Sequence, residues 1–248
     1  MASAMLRPVQ TLGKLLLDFA LPPRCAGCAE VSEEVGAFCP ACWRRLEWLG
    51  NGGCQCCGLP LAGTEAELCA RCLADPPKLD RIRAAVAYDD VPRSVALRLK
   101  YGRKVALART MARYMAPLRG EWDETAILMP VPLHRWRLWG RGFNQSGLVA
   151  RELAQGWGLP VDWRSLQRVK RTKLLKGLNY LQRRKAVAGA FRAVRTDGLK
   201  GSTVVLIDDV FTSGSTAEAC ARVLRRAGVK RVELICWARV VRPAQLMR

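Results

Sequence analysis

The 248 residues are half hydrophobic and hold 41 Lys and Arg against 21 Asp and Glu, a formal charge of +20. A chain of this length and composition can bury a substantial core, which excludes a disordered polypeptide, and its charge suits phosphates, nucleic acid or an anionic surface. Charge and cysteine divide it: residues 1–80 hold 7 basic and 9 acidic residues, residues 81–248 hold 34 and 12, and nine of the 11 cysteines fall between Cys25 and Cys72.

The opening residues place Leu12, Leu15, Leu16 and Phe19 at helical spacing and predict an N-terminal helix over 1–23. Lys14 and Asp18 interrupt the apolar run and no small-residue cleavage site follows, so the sequence does not read as a signal peptide. No stretch reaches the roughly 18–20 apolar residues of a membrane span. The expectation is a soluble, cytoplasmic protein.

Residues 24–77 read as a cysteine module with four C-x-x-C pairs: Cys25/Cys28, Cys39/Cys42, Cys54/Cys57 and Cys69/Cys72. Each pair presents two thiolates from one tight turn, and two pairs complete the tetrahedral shell of structural zinc. A disulfide framework is the competing reading, which the absence of a secretory signal disfavours. The short gaps favour two sequential zinc sites, with interleaved ligation left open. Cys56 is a spare thiol that could compete for metal. Pro76 and Pro77 mark a linker, and a basic domain is expected over 79–248.

Within that domain, "RIRAAVAYDD" predicts a strand, residues 91–118 one or two helices around a break at Gly102, and "TAILMPVPL" a buried strand closed by prolines. "GFNQSGLVARELAQGWG" reads as a helix and "LPVDWRSLQRV" as a short strand. Nine Lys or Arg lie between Arg164 and Lys185, with no acid from Arg164 to Arg195. "AFRAV" and "TVVLID" predict strands, "TAEACARVLRRAG" a helix, and "VKRVELICWARV" a final strand. Strand, helix, strand gives a right-handed parallel unit and an α/β fold.

The stretch "VVLIDDVFTSGSTAEAC" concentrates the chemistry. A strand delivering a loop to a helix N-terminus makes an anion site, and Thr212, Ser213, Gly214, Ser215 and Thr216 surround it with small donors, as a phosphate needs. It lacks the lysine and glycine spacing of a Walker loop. Asp208 and Asp209 repel phosphate, so they meet another part of the same ligand: sugar hydroxyls, a divalent metal, or both. A ribose 5-phosphate satisfies both halves, whereas two acids with no partner would be costly.

"VVLIDDVFTSGST" resembles the phosphoribosyl pyrophosphate (PRPP) motif of type I phosphoribosyltransferases. With "LKYGRK", "PVPLHRWRLWGRGFNQS", "RTKLLKGLNYLQRRKAVAGAF" and the cysteine module, nearly the whole chain resembles the ComF family of competence-associated phosphoribosyltransferase-like proteins. The resemblance implies a type I phosphoribosyltransferase-like parallel sheet flanked by helices, and a PRPP pocket. Asp208 and Asp209 would hold the ribose, Thr212 to Thr216 the 5-phosphate, and magnesium would bridge pyrophosphate and ribose. Lys100, His134, Arg135 and Arg141 would border the ligand, and Arg168 to Lys185 would form a mobile flap. Arg135, Arg137, Arg141, Arg183 and Arg184 are candidates for stabilising the departing pyrophosphate. Single-stranded DNA and a competence helicase are the implied partners. The flap pattern T-x-x-Q-x-x-L departs here, with Leu175 at the glutamine position, and Ala186 replaces a common asparagine.

Smaller features admit two readings. His134 reads as a pyrophosphate contact or a solvent-facing loop residue. Trp136 and Trp139, among arginines, read as packing in a pocket wall or as a stacking surface for nucleobases. Tyr101 borders the ligand or caps a helix, and Cys220 and Cys236 fall on apolar faces as buried hydrophobes.

Overall fold

The computed structural model describes residues 22–61, 66–172, 177 and 179–241. The expected N-terminal helix falls outside the described residues except for Pro22 and Pro23, which are not helical, and Leu175 of the flap also lies outside them. In chain order the elements are α1 (Pro40–Arg44), α2 (Ala70–Ala74), β1 (Arg81–Ala87), α3 (Asp90–Tyr101), α4 (Leu107–Met115), β2 (Ile127–Pro130), α5 (Arg135–Arg141), α6 (Gln145–Trp157), β3 (Leu166–Arg168), α7 (Tyr180–Val187), β4 (Phe191–Ala193), β5 (Thr203–Phe211), α8 (Ser215–Arg226) and β6 (Arg231–Arg239). Among the described residues no helix is long and apolar enough to cross a membrane.

Four strands form a parallel sheet in the order β1-β6-β5-β2, and β3 pairs antiparallel with β4. Because all four strands run the same way, the segments after β1, β2, β5 and β6 emerge at one edge. That edge is where open α/β sheets place ligands.

Period-two alternation distributes β5 between two cores. Val205 and Ile207 pack with α3, α4 and α6, while Val204 and Leu206 pack with α8. The cysteine module straddles the sheet in the same way. Cys25, Phe38 and Cys42 join the first core, where the Phe38 ring stacks 6.2 Å from that of Trp237, and Cys54, Cys57, Cys69 and Cys72 join the second. The linker is also tied down, because Asp80 pairs with Arg225 and accepts from the Val232 amide at 2.7 Å.

Two helices of the basic domain were not legible in the sequence. The α5 helix has no buried residue and begins where His134 Nδ1 accepts from the Trp136 amide at 3.4 Å. For α7 the start is a capping box: Asn179 accepts from the Gln182 amide at 2.9 Å and Gln182 accepts from the Asn179 amide at 3.0 Å.

Candidate phosphoribosyl site and metal centres

The eight cysteines resolve into two sequential tetrads, Cys25/Cys28/Cys39/Cys42 and Cys54/Cys57/Cys69/Cys72, with the four sulfurs of each within 4.8 Å of one another. A tetrahedral centre with Zn–S near 2.3 Å requires sulfurs about 3.8 Å apart. The Cys28–Cys39 and Cys57–Cys69 separations, 3.8 and 3.7 Å, fit that geometry. Backbone amides of Gly27 and Cys39 donate to Cys25 Sγ at 3.3 and 3.2 Å, and those of Cys57 and Cys69 to Cys54 Sγ at 3.5 and 3.3 Å. Burial opposes ionisation of these two thiols, but amide donation outweighs it and brings each down to about 6. These are two zinc-binding sites. Cys56 belongs to neither; its thiol faces the Leu79 carbonyl at 3.9 Å.

At the carboxyl end of β5 the two aspartates have different partners. Asp208 Oδ1 accepts from Ser146 Oγ at 3.0 Å and from the Asp209 amide at 2.9 Å. Burial, followed by the charge of Asp209, pushes the Asp208 carboxyl up to about 7. Buried Asp209 forms an ion pair with Lys100, at the end of α3. Burial works against the Lys100 ammonium, yet the charge and hydrogen bond of Asp209 outweigh it and raise its pKa.

Beyond the end of β5, Gly214 adopts φ +78 and opens α8. The hydroxyls of Ser213 and Ser215 share a hydrogen bond at 2.9 Å, and Arg183 of α7 donates to Thr212 Oγ1 at 2.9 Å. Helix α7 is thereby fastened to the hydroxyl loop. Arg184 is exposed, and its charge favours the Glu218 carboxylate of α8 against the burial that opposes it.

The segment after β2 forms a basic surface. His134 is buried, which corrects the solvent-facing reading, and burial together with Arg135, Arg168, Arg171 and Arg137 holds its pKa below the usual histidine value. Arg137 donates to the Thr172 carbonyl at 3.1 Å and Arg168 to the Thr172 hydroxyl, linking α5 to the segment after β3. Arg141 hydrogen-bonds Gln145 and lies 5.3 Å from the exposed ring of Tyr101.

The pocket-wall reading of the tryptophans is corrected. Trp136 is 54% and Trp139 82% exposed, because α5 is too short and too charged to present an apolar stripe. Cys220 and Cys236 are buried, as expected. Ser146 was not singled out from the sequence; its only signal was its place in "GFNQS".

Two cavities border these groups. One of about 950 Å³ is lined by His134, Arg135, Asn144 and Arg168. The other, of about 550 Å³, lies between the hydroxyl loop and the second cysteine tetrad, with Thr212, Phe211, Leu181, Cys57 and Arg239 in its wall.

The double zinc ribbon domain model matches residues 16–73, and the phosphoribosyl transferase domain model matches residues 166–246. The DNA utilization protein YhgH of Salmonella typhi is 32% identical, over 88% of this chain and 90% of its own. Competence protein F of Haemophilus influenzae is 28% identical, over 85% of this chain and 94% of its own.

The chain belongs to the ComF family.

ComF membership joins the ribbon and phosphoribosyltransferase halves in one polypeptide and agrees with the parallel sheet described above. Among solved structures, a glutamine PRPP amidotransferase from B. subtilis, complexed with ADP and GMP, matches 52% of this chain and 26% of its own at 22% identity, with a TM-score of 0.35.

Proposed function

We propose that this ComF-family chain binds PRPP with magnesium at the sheet edge and transfers its phosphoribosyl group to an acceptor, in a role connected with DNA uptake. In this reading a metal module over 24–77 precedes a phosphoribosyltransferase-like domain over 79–248. One observation carries the proposal: a single strand holds two adjacent carboxylates near its carboxyl end, and a hydroxyl loop at a helix N-terminus follows it.

Free amides at the start of α8, with the hydroxyls of Thr212, Ser213, Ser215 and Thr216, suit a dianionic 5-phosphate. Asp208 and Asp209 accept from ribose hydroxyls and supply the hard oxygen donors that magnesium prefers. Magnesium, when bound, neutralises charge on the pyrophosphate. Lys100 compensates the Asp209 charge. Departure of pyrophosphate builds negative charge on its oxygens, which Arg135, Arg137 and Arg141 are placed to stabilise from the β2 side. Arg183, fastened to Thr212, closes the flap side over the phosphate. Arg184, exposed on α7, has a smaller part.

Calorimetry with Mg–PRPP tests the pocket: binding to the wild-type chain and its loss in the Asp208→Ala/Asp209→Ala variant are expected, and unchanged affinity would sink the reading. Pyrophosphate release across a panel of acceptors then tests transfer.

A second reading is a catalytically weak PRPP sensor that binds single-stranded DNA through its basic domain. The exposure of Trp136 and Trp139 beside Arg135 and Arg137 favours it, since bases stack on such rings while phosphates meet the guanidinium groups. Fluorescence anisotropy with a labelled oligonucleotide should show affinity that falls with salt and with Trp139→Ala. No binding at low salt would remove this alternative.

A further inference from the structure

Two arginines reach the second cysteine tetrad from the sheet. Arg83, in β1, donates to the carbonyls of Cys54 at 3.4 Å and Gln55 at 3.0 Å; Arg239, the last residue of β6, donates to the carbonyl of Cys57. Both are buried, and neither forms an ion pair with a carboxylate among the described residues. A buried guanidinium is costly without a counter-charge. Four thiolates around one divalent zinc leave a net negative centre, and that centre supplies it.

Arg239 has a second contact. Its guanidinium lies 5.4 Å from the ring centroid of Phe211, its register partner on β5. The edge of that ring is in turn 3.0 Å from where a Cβ on Gly214 would stand, beneath the turn that opens α8. The chain of contacts runs from Cys57 through Arg239 and Phe211 to Gly214. For the first tetrad the clamp is different: Arg98 of α3 donates to the carbonyls of Ala26 and Gly27 at 2.8 and 3.1 Å, within the other core.

We propose that Arg239 is a positioning residue shared by the second zinc centre and the phosphate loop. The zinc centre fixes the guanidinium, the guanidinium fixes Phe211, and Phe211 sets the turn at Gly214. Loss of zinc from the second centre therefore loosens the phosphate site, whereas loss from the first does not. This rests on reading Thr212 to Thr216 as the 5-phosphate site.

The test compares Arg239→Met with Arg98→Met in the full, zinc-loaded chain. Three quantities are followed: zinc transfer to a chromophoric chelator, the amide NMR signals of Thr212 to Ser215, and Mg–PRPP affinity by calorimetry. Arg239→Met should release one zinc at least tenfold faster, shift the loop amides and weaken PRPP at least tenfold. Arg98→Met should also speed zinc release, yet leave the loop amides in place and PRPP affinity within twofold. Unmoved loop amides in Arg239→Met, or equal displacement by both variants, would overturn the proposal. If the wild-type chain fails to bind PRPP, the phosphate reading falls while the amide shifts still decide the link. Should Arg239→Met not fold, Phe211→Leu keeps the guanidinium and must shift the same amides at wild-type zinc release; loop signals at their wild-type positions refute it.

Discussion

Ser146 Oγ donates to Asp208 Oδ1 across 3.0 Å, so the first turn of α6 holds a carboxylate near the carboxyl end of β5. Burial and the neighbouring Asp209 charge push Asp208 up to about 7, and the Ser146 hydrogen bond works the other way. Mg–PRPP affinity should therefore rise as pH increases through about 7, when Asp208 ionises. Ser146→Ala should move that midpoint to higher pH. Calorimetry between pH 6 and pH 9 checks both; a flat profile would exclude Asp208 as the titrating group.

The same shift has a stability consequence. A carboxyl whose folded pKa exceeds its unfolded value, near 3.9, contributes stability below that value and loses it as pH rises through the folded pKa. Asp208→Asn removes the ionisation cost. It should raise stability at pH 8 by roughly 2 kcal/mol, a Tm increase of roughly 4–8 °C, and change little at pH 4. Thermal melts at the two pH values check the sign.

Asp209 is buried and its charge is met by Lys100. Breaking one side of such a pair leaves an uncompensated charge, so Lys100→Met should cost about 3 kcal/mol in chemical denaturation. The double variant Lys100→Met/Asp209→Asn should recover most of that loss. Additive losses in the double variant would mean that the two residues stabilise the fold independently.

Gly214 combines φ +78 with a Phe211 ring 3.0 Å from the position of an added Cβ. Gly214→Ala should destabilise the chain by roughly 1–2 kcal/mol through the left-handed backbone alone. PRPP affinity should fall by about tenfold or more, because the strain is concentrated where the phosphate approaches. Calorimetry and a thermal melt on one preparation separate the two effects.

Metal analysis should find two zinc ions per chain. Cys56→Ser should keep both, since its thiol lies outside the tetrads, whereas Cys28→Ser and Cys72→Ser should each lose one. Cys28 is exposed and the second tetrad is buried throughout, so a chelator should empty the first centre sooner.

Several features were legible because their signals are local. The C-x-x-C spacing fixes two thiolates per turn, and the β5–loop–α8 stretch has its apolar run, carboxylates, hydroxyls and glycine in consecutive positions. By contrast α5 and α7 escaped notice, since neither has an apolar stripe and each depends on a cap, His134 or the Asn179–Gln182 box. Ser146 was hidden for another reason: its partner Asp208 is 62 residues away, and nothing near a serine in sequence announces a distant carboxylate.

By itself the sequence determined the metal chemistry, the parallel strand–helix–strand unit and the pairing of a hydroxyl loop with two acids, all set by spacing within short segments. Only the tertiary structure decided which acid is paired with Lys100 and which is held by Ser146, and that the cysteine module lies across both faces of the sheet. Those outcomes depend on burial and on charges brought together from distant segments. Arg239 shows the difference: its buried guanidinium meets Cys57 on one side and Phe211 on the other, and no local pattern encodes that meeting.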